Sequence, residues 1–199
     1  MSIGDSEIKT QERVIRFFKD PEILGYQYIG NLSDYQNKNI KEDRLRQYLR
    51  LKGYADKLID AAVMQLQQEA GNLSRGVYDA NKTVYSRLKY GIPVSESPEK
   101  PPVTVELIDE ANPLSNDFAI AEEVTVVEQQ EKRPDLVIYL NGIAVAVIEL
   151  KRSSISVSEG IRQNLTNQKD SFIRGFFTTM QFCMAGNESE GLRYGTLLT

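Results

Sequence analysis

The chain contains no histidine and a single cysteine, Cys183. Lack of histidine excludes Ser-His-Asp catalysis, imidazole general bases and His-ligated zinc. One thiol excludes an internal disulfide and any multi-cysteine metal site. Cys183 lies in the apolar stretch Met180-Gln181-Phe182-Cys183-Met184-Ala185, which predicts a buried, inert thiol. Long hydrophobic runs are also missing: nothing approaches the ~18–20 apolar residues of a membrane span. The start, Met1-Ser2-Ile3-Gly4-Asp5, has neither the basic head nor the apolar stretch of a signal peptide. A cytoplasmic protein with no membrane partner is expected. The chemistry that remains belongs to carboxylates, lysine, hydroxyls and bound hard cations.

Positive charge is in short supply too. The net charge of −4 argues against coating nucleic acid by bulk attraction. DNA binding stays open, because a divalent cation held by carboxylates, with local Lys/Arg clusters, can bring positive charge to one site. The 199 residues, 41% hydrophobic and 26% charged, suit one substantial globular domain or a core carrying an insertion.

Apolar periodicity predicts a helix over 7–19, closed by Pro21, and a short strand over 26–29. Residues 41–51, 55–70 and 78–90 read as three helices, with Gly53, Gly71 and Gly91 at their ends. Two of them are basic: Lys41, Arg44, Arg46 and Arg50, then Lys82, Arg87 and Lys89. A solvated face with interleaved acids is the first reading of that pattern, and a DNA-facing surface the second. Residues 95–102, with three prolines, read as a linker. Strands are then expected over 103–108, 118–127, 136–140 and 143–150, a helix over 158–172, and strands over 178–185 and 192–198. The nearly continuous apolar runs 136–140 and 143–150 suit the middle of a sheet covered on both faces. The fold class is therefore α/β, a mixed β-sheet flanked by helices, with a helical insertion over about 36–91.

Chemistry concentrates in Arg133-Pro134-Asp135-Leu136-Val137-Ile138-Tyr139-Leu140-Asn141-Gly142-Ile143-Ala144-Val145-Ala146-Val147-Ile148-Glu149-Leu150-Lys151. Asn141-Gly142 is a strong hairpin signal. Asp135 opens the first strand, and Glu149 and Lys151 interrupt the apolar end of the second, two residues apart and so on one face. Mg²⁺ takes one or two carboxylates plus water and substrate phosphate, so Asp135 and Glu149 are the candidate metal ligands. Lys151 is placed to orient the attacking water and offset charge on the phosphate. Glu7-Ile8-Lys9, near Asp5, repeats the acid-x-lysine spacing on a predicted helix with no strand partner.

Parity along the hairpin tests this assignment. A plain two-residue turn with unbroken strands would set Asp135 opposite Ile148, and Glu149 on the other face. The carboxylates meet only if one extra residue is absorbed. A three-residue connection, Leu140-Asn141-Gly142, is the expected place, and a bulge elsewhere in either strand would serve equally.

Pro134-Asp135 followed by Glu149-Leu150-Lys151 resembles the signature of the PD-(D/E)xK nucleases. The wider pattern resembles the N-terminal part of the R (restriction) subunit of type I restriction-modification enzymes. It adds Thr10-Gln11, Tyr78-Asp79-Ala80-Asn81-Lys82, Asn116-Asp117-Phe118, Gly160-Ile161-Arg162-Gln163-Asn164-Leu165 and Arg193-Tyr194-Gly195-Thr196. The resemblance implies a restriction-endonuclease-like core in which Asp135 and Glu149 bind Mg²⁺ and Lys151 is the catalytic lysine. Gln163 joins the catalytic set through a Gln-x-x-x-Tyr element, in which Asn167 stands where the tyrosine would be. Glu7 sits where related nucleases place an extra acid; a solvated helix face accounts for it as well. The whole protein would act on unmethylated double-stranded DNA together with modification and specificity subunits, translocating it with an ATP-driven motor. No Gly-x-x-x-x-Gly-Lys-Ser/Thr loop occurs here, and the chain stops at Leu197-Leu198-Thr199 in an apolar stretch, so a piece of a longer polypeptide is expected. Two other readings are a free-standing repair or recombination nuclease and a non-catalytic DNA-binding or docking module with the same fold. Nuclease activity dependent on Asp135 would separate the last from the others.

Overall fold

A computed structural model of the protein describes residues 7–97 and 99–197. The first helix, α1 (Glu7–Lys19), buries Ile15 with Thr10 and Gln11 and is followed by β1 (Gln27–Asn31). Three helices come next: α2 (Glu42–Leu51), α3 (Asp56–Gly71) and α4 (Val77–Tyr90). The chain then runs through β2 (Ile92–Val94), β3 (Val103–Val105), β4 (Phe118–Glu122), β5 (Val126–Val127) and β6 (Glu131–Lys132). It continues as β7 (Leu136–Leu140), β8 (Ile143–Leu150), α5 (Val157–Asn167), β9 (Phe182–Asn187) and β10 (Gly191–Gly195).

Six strands form one mixed sheet in the order β1-β4-β7-β8-β9-β10. The pairs β1–β4 and β8–β9 are parallel, and the others are antiparallel. β7 and β8 lie in its middle, which explains why both are apolar almost throughout. Leu136, Ile138, Ala146 and Ile148 face α1 through Ile15, with Ile120 of β4. Val137, Tyr139 and Val147 face the opposite core, with Phe176, Phe177, Met180 and Cys183. A third core, containing Leu45, Leu49, Ile59, Leu66, Val84 and Ile92, joins α2, α3 and α4 to Ile143 at the start of β8.

The turn between β7 and β8 is where this helical core meets the sheet. Asn141 (φ 52) and Gly142 (φ 82) are both left-handed, as a type I′ turn demands. Any Cβ at position 142 would lie 2.7 Å from the Lys41 carbonyl oxygen and 2.8 Å from the Leu45 nitrogen, so only glycine lets α2 approach. The Lys41 N–H donates to the Gly142 carbonyl at 2.7 Å. Asn141 is fully buried: its amide donates to the Leu107 carbonyl and Asn116 Oδ1, and its Oδ1 accepts from the Asp117 N–H.

The expected three-residue connection is not what forms. Leu140 pairs with Ile143 across a two-residue turn, and Tyr139 pairs with Ala144. Ile138 then pairs with Ala146, leaving Val145 as the extra residue of a bulge. Neighbouring segments satisfy the backbone there: Thr179 Oγ1 donates to the Ala144 carbonyl at 2.6 Å, and the Gln181 N–H to the Val145 carbonyl at 2.7 Å. The Ala144 N–H donates to the Asn39 carbonyl at 2.8 Å. With the Ala144 N–H and the carbonyls of Ala144 and Val145 partnered from outside the hairpin, the bulge is cheap at this point, whereas α2 holds the turn itself tight. Beyond Ala146 the ladder is regular to Leu136↔Ile148, and its continuation sets Asp135 across from Glu149.

Other bounds shift for local reasons. The strand expected over 118–127 breaks at Glu123, which is left-handed (φ 51). The helix expected over 158–172 ends at Asn167, and Thr178 and Thr179, expected to open a strand over 178–185, close a 3-10 turn over Arg174–Thr179, with the strand starting at Phe182. Asn81 of α4 holds that turn by donating to the carbonyls of Thr178 and Met180. The strand expected over 103–108 extends only over Val103–Val105, and that over 192–198 over Gly191–Gly195, with Leu198 outside the described residues.

Candidate active site

Asp135 stands just before β7, and two backbone bonds hold its main chain against the end of β4. The Glu123 N–H donates to the Asp135 carbonyl (2.8 Å), and the Val124 N–H to the Pro134 carbonyl (3.0 Å). Asp135 Oδ2 accepts from the Leu150 N–H at 2.6 Å, which ties the carboxylate to β8. Glu149, one residue earlier on β8, is fully buried. Its Oε2 accepts from Gln163 Nε2 at 2.7 Å, while its Oε1 has no hydrogen-bond partner among the described residues.

Gln163 reaches Glu149 because α5 lies close against the sheet. A Cβ at Gly160 would be 2.9 Å from the Ala185 Cβ and 3.5 Å from the Glu149 Cβ. Lys151 follows β8, its side chain 15% exposed, with Nζ 3.6 Å from Glu7 Oε1. The structure thus brings Asp135, Glu149, Lys151, Gln163 and Glu7 together at one end of the β7–β8 pair. Asp5 lies outside the described residues. Asn167 is buried at the C-terminal end of α5, and its carbonyl accepts from the Ile173 N–H.

Electrostatics mark the two carboxyls as unusual. Burial, followed by the neighbouring Asp135 charge, holds the Glu149 carboxyl well above the ordinary range, against the pull of Lys151. Burial also pushes Asp135 up to about 6, although the Leu150 N–H and the Lys151 ammonium oppose it. A buried carboxylate oxygen without a donor is expensive, and two adjoining carboxylates repel each other. A proton or a cation relieves both. Among the described residues no three His, Cys, Asp or Glu side chains converge to cage a metal. Two carboxylates with the remaining positions open to water and phosphate are, however, the set that Mg²⁺ takes from proteins.

Sequence reading met Gln11 only as part of the family pattern and missed the layer it forms behind Asp135. Gln11 is buried in α1, and its amide donates to Glu122 Oε2 (2.9 Å) and Glu123 Oε1 (3.2 Å). The Tyr28 hydroxyl donates to Glu122 Oε1, and Arg133 Nε lies 3.0 Å from Glu123 Oε2. The available signal was an acid pair, Glu122-Glu123, closing an apolar strand, and a glutamine four residues before Ile15 on the buried stripe of a helix.

Residues further out take quieter roles. Cys183 is buried, and burial, then the Glu149 charge, pushes its thiol up to about 12. On the basic helices Arg44 pairs with Asp117, Arg46 with Glu42 and Asp60, Arg50 with Asp56, and Arg87 with Glu69. Of these acids only Glu42 is interleaved on the same helix; Asp56, Asp60 and Glu69 come from α3 and Asp117 from just before β4, so the arginines join elements to one another. No helix among the described residues is long and apolar enough to cross a membrane.

Two curated relatives match part of the chain. One is the "Putative type I restriction enzyme MjaIXP endonuclease subunit" of Methanocaldococcus jannaschii, 33% identical over 97 residues, which is 45% of this chain. The other is the "Type I restriction enzyme SsaAORF53P endonuclease subunit" of Staphylococcus saprophyticus, 29% identical over 85 residues, 43% of this chain. Each match spans only 9% of the relative's own length. A wider match covers the layer around Asp135 as well as the hairpin: the family described as type I restriction enzyme R protein N terminus matches residues 6–199. Sequence motif, hairpin and whole-chain match agree, and the chain belongs to the family of type I restriction enzyme R protein N termini.

Proposed function

We propose that this chain is the Mg²⁺-dependent DNA endonuclease domain of a type I restriction enzyme R subunit, with a PD-(D/E)xK active site. Its substrate is unmethylated foreign double-stranded DNA, delivered by ATP-driven motor domains outside these 199 residues. Modification and specificity subunits are its partners in that complex. One observation carries the reading: the Val145 bulge turns a hairpin of the wrong parity into one that places Asp135 across from Glu149. Lys151 lies at the same end, and Gln163 leaves one Glu149 oxygen without a partner among the described residues.

Asp135 and Glu149 would hold the cation, and the orphaned Glu149 Oε1 is the observation that fits it. Mg²⁺ bound there would polarise the scissile phosphate and make a coordinated water more acidic. The chain's own residues do the rest. Gln163 fixes the rotamer of Glu149 through Oε2, and the Leu150 N–H fixes that of Asp135 through Oδ2. Lys151 is positioned to donate from Nζ to the attacking water or a non-bridging phosphate oxygen, which favours charge developing on phosphorus-bound oxygen. Glu7 restrains that ammonium from the side of α1.

The test uses the intact restriction complex. Lys151→Ala should lower DNA cleavage by about a hundredfold or more while ATP hydrolysis and translocation continue near the parent rate. Loss of both activities together would assign this region to the architecture of the motor instead.

A further inference from the structure

Glu123 occupies a position that costs the backbone something and has no evident packing reason to exist. Among the described residues only Glu123 and Asn141 combine a positive φ with a side chain. Asn141 is a favoured residue for such a turn; glutamate is not. Strain of this kind persists where surrounding contacts over-determine it, and it gathers at functional sites.

Two of the contacts around Glu123 reach the Asp135 segment, and a third anchors it to α1. Its N–H donates to the Asp135 carbonyl at 2.8 Å. Its carboxylate is held from two sides, by Gln11 Nε2 on Oε1 at 3.2 Å and by Arg133 Nε on Oε2 at 3.0 Å. Gln11 is itself buried and also donates to Glu122, whose other oxygen accepts from Tyr28. Arg133 stands two residues before Asp135, so Glu123 grips the Asp135 segment twice, through its backbone and its side chain. The ladder between β4 and β7 ends one pair earlier, at Glu122↔Leu136, so beyond it the Asp135 main chain is held by the Glu123 and Val124 N–H groups and its carboxylate by the Leu150 N–H.

We propose that Glu123 is a positioning residue: with Gln11 and Arg133 it clamps the Arg133–Asp135 segment and aims the Asp135 carboxylate at Glu149. The inference rests on the metal-binding reading given above only for its second readout. The first is free of metal, because the Leu150 N–H donates to Asp135 Oδ2 and therefore reports whether that carboxylate stays in place.

Two variants of the 199-residue chain separate clamping from simple charge. Glu123→Gly relieves the left-handed strain and removes the carboxylate; Arg133→Gln removes a positive charge and keeps the backbone. A long-range field alone predicts opposite effects on cation affinity, weaker for the first and tighter for the second. A clamp predicts weaker binding in both. Expected are a Kd for Mn²⁺, measured by calorimetry, raised about tenfold in each variant, and Leu150 amide hydrogen exchange faster than in the parent, with the Val147 amide unchanged. Tighter or unaltered Mn²⁺ binding in Arg133→Gln, with parental Leu150 exchange, would overturn the clamp and leave the active-site reading standing. If the parent binds no Mn²⁺, the metal reading fails, and Leu150 exchange alone then decides the clamp: faster exchange in both variants supports it, and parental rates overturn it.

Discussion

Replacing Asp135 by asparagine should make the metal-free protein more stable at pH 8, although it removes a residue of the proposed active site. Asparagine keeps an oxygen for the Leu150 N–H and has no charge to bury. In the folded chain Asp135 is raised from 3.8 to about 6, with burial the largest cause. A raised acid pKa means that the folded state binds more protons than the unfolded state between those values, so stability falls as pH climbs through that window. Each unit is worth about 1.4 kcal/mol, which puts the cost of the Asp135 charge above pH 6 at about 2–3 kcal/mol. For a chain of this size that is a rise in melting temperature of roughly 5–10 °C in Asp135→Asn. At pH 4, close to the unfolded value of 3.8, most of that cost should be gone, and the two proteins should melt much closer together than at pH 8. Thermal and urea melts in EDTA at pH 4 and pH 8 measure the difference, and repeating them with Mg²⁺ or Mn²⁺ adds the second half. Cation should stabilise the parent and give Asp135→Asn a smaller gain. A variant less stable than the parent at pH 8 in EDTA, or a difference that ignores pH, would refute the electrostatic argument. Equal cation-induced gains would remove Asp135 from the metal site.

Gly142→Ala should destabilise the chain by about 2–4 kcal/mol, because overpacking and a left-handed alanine act together where the new Cβ would sit 2.7 Å from the Lys41 carbonyl. Urea denaturation measures it, and a parental midpoint would mean that α2 is free to move away from the turn. Cys183 should resist Ellman's reagent at pH 8 in the native protein, since its thiol is buried and pushed up to about 12. Full reaction should follow unfolding in guanidinium, and prompt labelling without denaturant would show that the β9 region opens.

Some of this protein was decided by local sequence. Asn141-Gly142 sets a type I′ turn because both positions tolerate positive φ, and the apolar runs on either side form central strands because both faces are covered. The residues of the proposed site were equally plain, since Asp135, Glu149 and Lys151 are the only charges in or flanking those runs between Arg133 and Arg152. Gln163 came from resemblance and proves to bond Glu149. Parity was different. One extra residue had to be absorbed somewhere in the hairpin, and sequence placed it in the turn. Tertiary contacts placed it at Val145, because α2 packs too closely on Gly142 for a longer connection, while Thr179, Gln181 and Asn39 supply partners for the bulged backbone. Those partners lie about a hundred residues before the bulge and some thirty-five after it in the chain. Gln11 and Glu123 illustrate the same limit: 112 positions apart, they meet only once α1 lies on the sheet. A pattern of alternation says which face a side chain takes relative to its neighbours. Which face is joined to which across a hairpin depends on who satisfies the backbone of the residue left over, and that is settled by the rest of the fold.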